Sequence, residues 1–164
     1  MITVESLNSN NIQPVRDIYT HSLENNKDGF VQNRAFHGDI IDQANAMLEN
    51  RGLFFVARYK NTIVGFGALK RERGSSKNSY ELCKLHISQS HTGRGYGQAL
   101  SKHLITCAKK NGAQQINLHV TKTQIPAISL YKKLGFIITK EHVYEIDIKG
   151  KKHFFDTLFM TLTL

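Results

Sequence analysis

Only two cysteines, Cys83 and Cys107, occur in the chain, so a disulfide scaffold and a four-cysteine zinc site are both excluded. Two prolines leave no proline-rich linker, and no internal repeat or low-complexity tract is present. No apolar run approaches the ~18 residues of a membrane span, and the opening Met1-Ile2-Thr3-Val4-Glu5 lacks a basic-then-apolar signal pattern. These absences lead us to expect a soluble protein of the cytoplasm. Acids are scarce as well: 13 Asp and Glu stand against 22 Lys and Arg, a formal charge of +9. That excess points to an anionic partner without saying which.

What is present fits one globular domain. Of 164 residues, 40% are hydrophobic and 21% charged, and a chain of this length buries about two thirds of its unfolded surface. A single domain over residues 1–164 is expected. Ile2 to Glu5 alternates and reads as a short strand. Val15, Ile18, Tyr19 and Leu23 recur at helical spacing with Pro14 in the first turn, and Ile40 to Leu48 reads as a second helix capped by Asp39. Gly29 to Gly38 between them reads as a loop. Leu53–Tyr59 and Thr62–Leu69 are strands turned at Lys60-Asn61, Arg71 to Ser79 is an exposed loop, and Tyr80 to Ser88 is a strand. Gly97 to Lys110 carries one apolar helix face and stops at Asn111-Gly112; Ile116 to Val120 is a strand. Ala127 to Leu134 is a short helix between Pro126 and Gly135. Strands Ile137–Ile148 and Asp156–Leu164 close the chain around Lys149-Gly150. The order β-α-α-β-β-β-α-β-α-β-β predicts a mixed α/β (α+β) fold, helices packed on a twisted and largely antiparallel sheet.

The densest chemical signal is Thr92-Gly93-Arg94-Gly95-Tyr96-Gly97, between a strand and an amphipathic helix. Alternate glycines let backbone N–H groups point one way, and a helix N-terminus adds its positive dipole end, which suits phosphate. A Walker-type loop is absent. A dinucleotide fingerprint fails too, because the following strand ends His119-Val120-Thr121 with no carboxylate for a ribose.

Three segments together carry a family likeness: Glu81-Leu82-Cys83-Lys84-Leu85-His86-Ile87, the glycine turn, and Gln124-Ile125-Pro126-Ala127-Ile128-Ser129-Leu130-Tyr131-Lys132-Lys133-Leu134-Gly135-Phe136. In this order and spacing the chain resembles the GNAT superfamily of acetyl-CoA-dependent N-acetyltransferases. The resemblance implies a GNAT-like sheet of about seven strands with flanking helices and a central parallel pair that splays apart, here Tyr80–Ser88 and Ile116–Val120. It implies acetyl-CoA as cosubstrate. The pyrophosphate would lie on Thr92, Gly93, Arg94, Gly95, Tyr96, Gly97 and Gln98, and the pantetheine would meet backbone groups of Leu85, His86 and Ile87. Two departures stand out: Thr92 replaces the usual Gln or Arg that opens the turn, and Gln124 stands where Asn is common.

Acyl transfer from a thioester to an amine needs a neutral amine, a held oxyanion and a proton for the leaving thiolate. The resemblance assigns the last task to Tyr131, which would also contact the cofactor, and a phenol with pKa near 10 is a fair acid. Backbone N–H groups near Leu85–Ile87 would hold the oxyanion. Glu81 is the first candidate for the base, with His86, His119 and water as alternatives. Metal binding is not expected, since the histidines are scattered and no His-Glu-x-x-His occurs. Cys83 and Cys107 read as inert thiols rather than acyl carriers. Basic clusters Lys70-Arg71-Glu72-Arg73 and Lys149-Gly150-Lys151-Lys152 read as solvated loops or a phosphate rim; two loop clusters make no nucleic-acid stripe.

The reading is therefore a single-domain N-acetyltransferase acting by direct attack of a primary amine. The Glu81-Leu82-x-Lys84-Leu85 pattern leans toward a small-molecule amine over a protein N-terminus or lysine. The rival is a non-catalytic module binding coenzyme A or nucleic acid. Acceptor selection is expected from Gly29–Gly38, Arg71–Ser79 and the last hairpin, and a homodimer is left open.

Overall fold

The computed structural model describes residues 1–25, 38–74 and 78–164. One seven-stranded sheet in the order β1-β2-β3-β4-β5-β7-β6 runs through it. Its strands are β1 Thr3–Ser6, β2 Leu53–Tyr59, β3 Thr62–Arg71, β4 Ser79–Ile87, β5 Gln115–Thr121, β6 Ile137–Ile148 and β7 Lys151–Thr163. The described helices are α1 Ile12–Asn25, α2 Ile40–Glu49, α3 Tyr96–Lys110 and α4 Ile125–Lys133. Every strand pair is antiparallel except β4–β5. The expected loop over Gly29–Gly38 lies almost wholly outside the described residues, as does the middle of Arg71–Ser79.

Local chemistry explains the boundaries. Asp39 caps α2, its carboxylate accepting from the Ile41 N–H at 3.1 Å and from Arg16 Nη2 of α1 at 2.9 Å. The Arg16 guanidinium holds that carboxyl below its ordinary range, so the cap stays charged and ties the two helices together. Lys60 and Lys149 adopt positive φ at the hairpin turns, as does Gly150, which matches the twist of the flanking strands.

Alternation along the strands splits the core between the two faces. Phe54, Val56, Phe66 and Ala68 meet α1 and α2 through Val15, Ile18, Tyr19 and Ile41. Leu69, Tyr80, Leu82, Ile116 and Met160 meet α3 and α4 on the other face, with Leu104, Ala108 and Tyr131. β6 is an edge strand exposed over nearly its whole length. β7 begins at Lys151, five residues before the start that the sequence predicts. The first five residues of β7 are exposed or only half-buried, so they carry no strong apolar alternation to read.

Two irregularities in β4 position the site. Its ladder to β3 slips between Ala68 and Leu69: Ala68 faces Lys84 and Leu69 faces Leu82, leaving Cys83 as an extra residue. This bulge brings two consecutive side chains to the α1 side. Cys83 packs into the α1–α2 core and Lys84 reaches Tyr19, while Leu82 and Leu85 both join the opposite core. The second irregularity is the short ladder to β5, which holds only at Ser79–Gln115, Tyr80–Ile116 and Glu81–Asn117. Beyond it β4 follows β3 to Ile87 and β5 follows β7 to Thr121. The sheet splits there, as the resemblance implies.

Candidate active site

The split opens into a cavity of about 860 Å³. Its floor is Leu82–Ile87 of β4 and its far wall His119, Val120 and Thr121 of β5. α1 contributes Tyr19, His21, Ser22 and Asn25, and α4 contributes Ala127 and Tyr131. Tyr144, Ile146, Phe155 and Thr157 of the β6–β7 hairpin also line it. The α1 wall and Lys84 were not foreseen as site residues. Tyr19 sits on an apolar helix stripe that reads as core, and only the bulge turns Lys84 toward this side.

From Leu82 onward the β4 edge no longer pairs with β5, and its backbone N–H and C=O groups border the gap. Such N–H and C=O groups need partners, and an amide-bearing chain laid between the strands would supply them. Gly65 of β3 explains how closely β3 and β4 approach here. A Cβ at that position would meet the His86 carbonyl oxygen at 2.6 Å.

Downstream of β4, Gly93 and Gly95 both adopt φ near +75 to +80°, and Gly95 is the N-cap of α3. It offers no side-chain oxygen to the helix, so the first-turn amides at Tyr96, Gly97 and Gln98 keep their donors available. Nothing lies within 4 Å of a Cβ built on Gly93 or Gly95. The glycines are therefore required by conformation, and the space over the turn is open. An anion with several oxygens fits these donors. Thr92 borders the cavity, its hydroxyl donating to the Gln89 carbonyl at 3.0 Å, which occupies the group that departs from the family pattern. Arg94 is exposed beside the turn. Tyr96 lies against Tyr59, ring centroids 5.6 Å apart. Gln124 lines the cavity, its amide donating to Thr123 Oγ1 at 3.4 Å.

Tyr131 is 9% exposed and packs against Phe136, centroids 5.8 Å apart. Burial pushes its phenol up to about 12, above the value of 10 expected from sequence, so it holds its proton more firmly. His86 is buried between Phe66 and Tyr19, at centroid distances of 5.1 and 5.4 Å. Burial lowers its imidazole to about 3, with the Lys84 charge acting in the same direction. This removes the His86 ring from the candidate bases, because so weak a base takes no proton from an ammonium. Cys83 is likewise pushed up by burial, to about 11, and its sulfur packs 3.6 Å from Met47 Sδ. A thiol in that state is a poor nucleophile. Both cysteines are free.

Glu81 does not line the cavity. Its carboxylate Oε1 lies 3.6 Å from His119 Nε2, and of the two residues it is His119 that lines the space. This distance suits an ion pair and exceeds a hydrogen bond. The first-choice base and one of its alternatives are thus brought together as a pair.

The sequence profile of the acetyltransferase (GNAT) family matches residues 13–136. The chain belongs to that family. Among characterised relatives, this GNAT chain is 31% identical to N-acetyltransferase 8B of Rattus norvegicus over 112 residues, 66% of this chain and 50% of that protein. It spans about half the length of several curated relatives that it matches. Two solved structures share the fold. A GNAT superfamily phosphinothricin acetyltransferase from Sinorhizobium meliloti, in complex with acetyl-CoA, superposes with a TM-score of 0.81 at 18% identity, covering 99% of this chain and 88% of that one. The ribosomal-protein-alanine N-acetyltransferase of Brucella melitensis gives 0.79 at 20%, covering 99% of each. Among the described residues no helix is long and apolar enough to cross a membrane, and no cluster of His, Cys, Asp and Glu has the makings of a metal site.

Proposed function

We propose that this GNAT chain transfers an acetyl group from acetyl-CoA to the primary amine of a small molecule by direct attack. The observation that carries the reading is the split between β4 and β5, with open strand edges on one side and the glycine turn at the start of α3. Acetyl-CoA supplies the activated thioester carbonyl. Amide groups of Leu85, His86 and Ile87 bond the pantetheine and hold the acetyl oxygen as it gains charge. Amides from Gly93 to Gln98 bind the pyrophosphate, with Arg94 adding charge. Tyr131 gives its phenolic proton to the departing sulfur.

For the acceptor's proton the reading joins two candidates. His119 takes it, and Glu81 positions the ring. With Nε2 turned to Glu81, Nδ1 is the nitrogen left to accept. A resting distance of 3.6 Å suits a contact that tightens once substrate is bound. A small acceptor is supported by the side chains of α1 and of the β6–β7 hairpin that line the cavity together.

The test is thiol release from acetyl-CoA against a panel of small amines and peptides. Turnover with a small amine is expected; turnover with peptides alone would replace the acceptor assignment, and none at all would favour a binding module. His119→Ala should lower kcat by about 10²-fold or more, with partial recovery on adding imidazole. Glu81→Gln should cost less, and nothing further in the His119→Ala background, because a positioning residue acts only through the ring it positions. Additive losses without imidazole rescue would leave water as the base.

A further inference from the structure

We infer that Lys84 and Tyr19 form a carboxylate subsite, so that the acceptor is an α-amino acid with an apolar side chain; this rests on the acetyltransferase reading above. The cavity has a marked charge imbalance. Among the described residues no Asp or Glu lines it, whereas Lys84 does. Glu81, the acid closest in sequence, does not line it and is paired with His119. Lys84 has no carboxylate partner among the described residues, although the molecule forms ion pairs at its surface, such as Lys122 with Glu141 and Lys152 with Glu145. A half-buried ammonium without a counter-ion is costly unless a ligand supplies one.

The side chain is held in place. Lys84 Nζ donates to the Tyr19 hydroxyl at 3.4 Å and lies 5.2 Å from the centroid of that ring. Since Tyr19 accepts here, its own O–H is free to donate, and an ammonium and a phenol then present two donors to one anion. The bulge at Cys83 creates this arrangement. Strict alternation would send Lys84 to the opposite face, with Leu82.

The rest of the cavity fits the same ligand. His119 stands on the other side of the split, where the amine must lose its proton. Tyr144, Ile146 and Phe155 offer apolar lining for a side chain. A diamine, by contrast, would bring a second cation against Lys84 with no acid to receive it.

The experiment compares each amino acid with its decarboxylated partner, L-phenylalanine with phenethylamine and L-leucine with isopentylamine, using acetyl-CoA as donor. The amino acid should be preferred in kcat/KM by about 10- to 100-fold, the range of a charge-assisted hydrogen bond. Lys84→Met keeps the aliphatic stem and should shrink that preference to a few-fold, while Lys84→Arg retains most of it. Decarboxylated amines used as well as the amino acids, or a preference that survives Lys84→Met, would overturn the subsite. A binding measurement separates this from failure of the transferase reading. N-acetyl-phenylalanine should raise the melting temperature of the coenzyme A-saturated protein more than N-acetyl-phenethylamine does, and Lys84→Met should erase the difference. That result supports the subsite even without turnover, and equal stabilisation by both compounds contradicts it.

Discussion

Burial gives Tyr131 its chemical character. A phenol pushed up to about 12 is a weaker acid than one in water, yet it stays protonated throughout the alkaline range in which an amine becomes a good nucleophile. Among the described residues no protein group hydrogen-bonds that hydroxyl, and it borders the cavity. Tyr131→Phe removes only the oxygen, so kcat should fall by about 10²–10⁴-fold when sulfur departure limits the rate. Acetyl-CoA affinity and melting temperature should change little. Single-turnover rates settle the matter: a Phe variant equal to wild type there would make Tyr131 a packing residue. The raised phenol also means that the wild-type rate should show no alkaline fall due to Tyr131 within the usual assay range.

Elements, rather than residues, decide how the molecule responds to acid. His86 is wedged between Phe66 of β3 and Tyr19 of α1, and its imidazole, lowered to about 3, is neutral in the folded chain. In the unfolded chain the same ring binds a proton below about 6.5. Between those values the unfolded state therefore holds more protons, so this contribution to stability is complete above about pH 6.5 and shrinks as pH falls. The slope is at most about 1.4 kcal/mol per pH unit for one proton. Urea unfolding at stepped pH should give a shallower acid loss for His86→Phe than for wild type. Equal slopes would show that α1 tolerates a charged ring at that position.

The same scale shows what the sequence made legible. Helices α1 and α2 follow from one apolar face each, and strands β2 to β5 from β-branched and aromatic runs bounded by turn residues. The bulge at Cys83 could not be read, since nothing in Glu81-Leu82-Cys83-Lys84-Leu85 marks where an extra residue enters the ladder. Glu81 beside His119, and Lys84 beside Tyr19, both depend on pairing across distant strands and helices. The glycine turn was legible because φ near +75 to +80° leaves a mark in sequence that a side-chain contact does not.

At the scale of the whole molecule, the formal charge of +9 has several outlets, of which two bear on the cofactor. One is the turn before α3 with Arg94; the other is the exposed β6–β7 hairpin, whose turn carries Lys149, Lys151 and Lys152. The central claim is that acetyl-CoA occupies the split between β4 and β5, with its phosphates on the first outlet and not the second. Amide hydrogen exchange with and without acetyl-CoA tests this most directly. Protection should rise at Leu85–Ile87 and from Gly93 to Gln98, leave the Lys149–Lys152 turn unchanged, and vanish in Gly95→Glu, which sets a carboxylate against the phosphate donors. Protection confined to the hairpin turn, or persisting in Gly95→Glu, would contradict it.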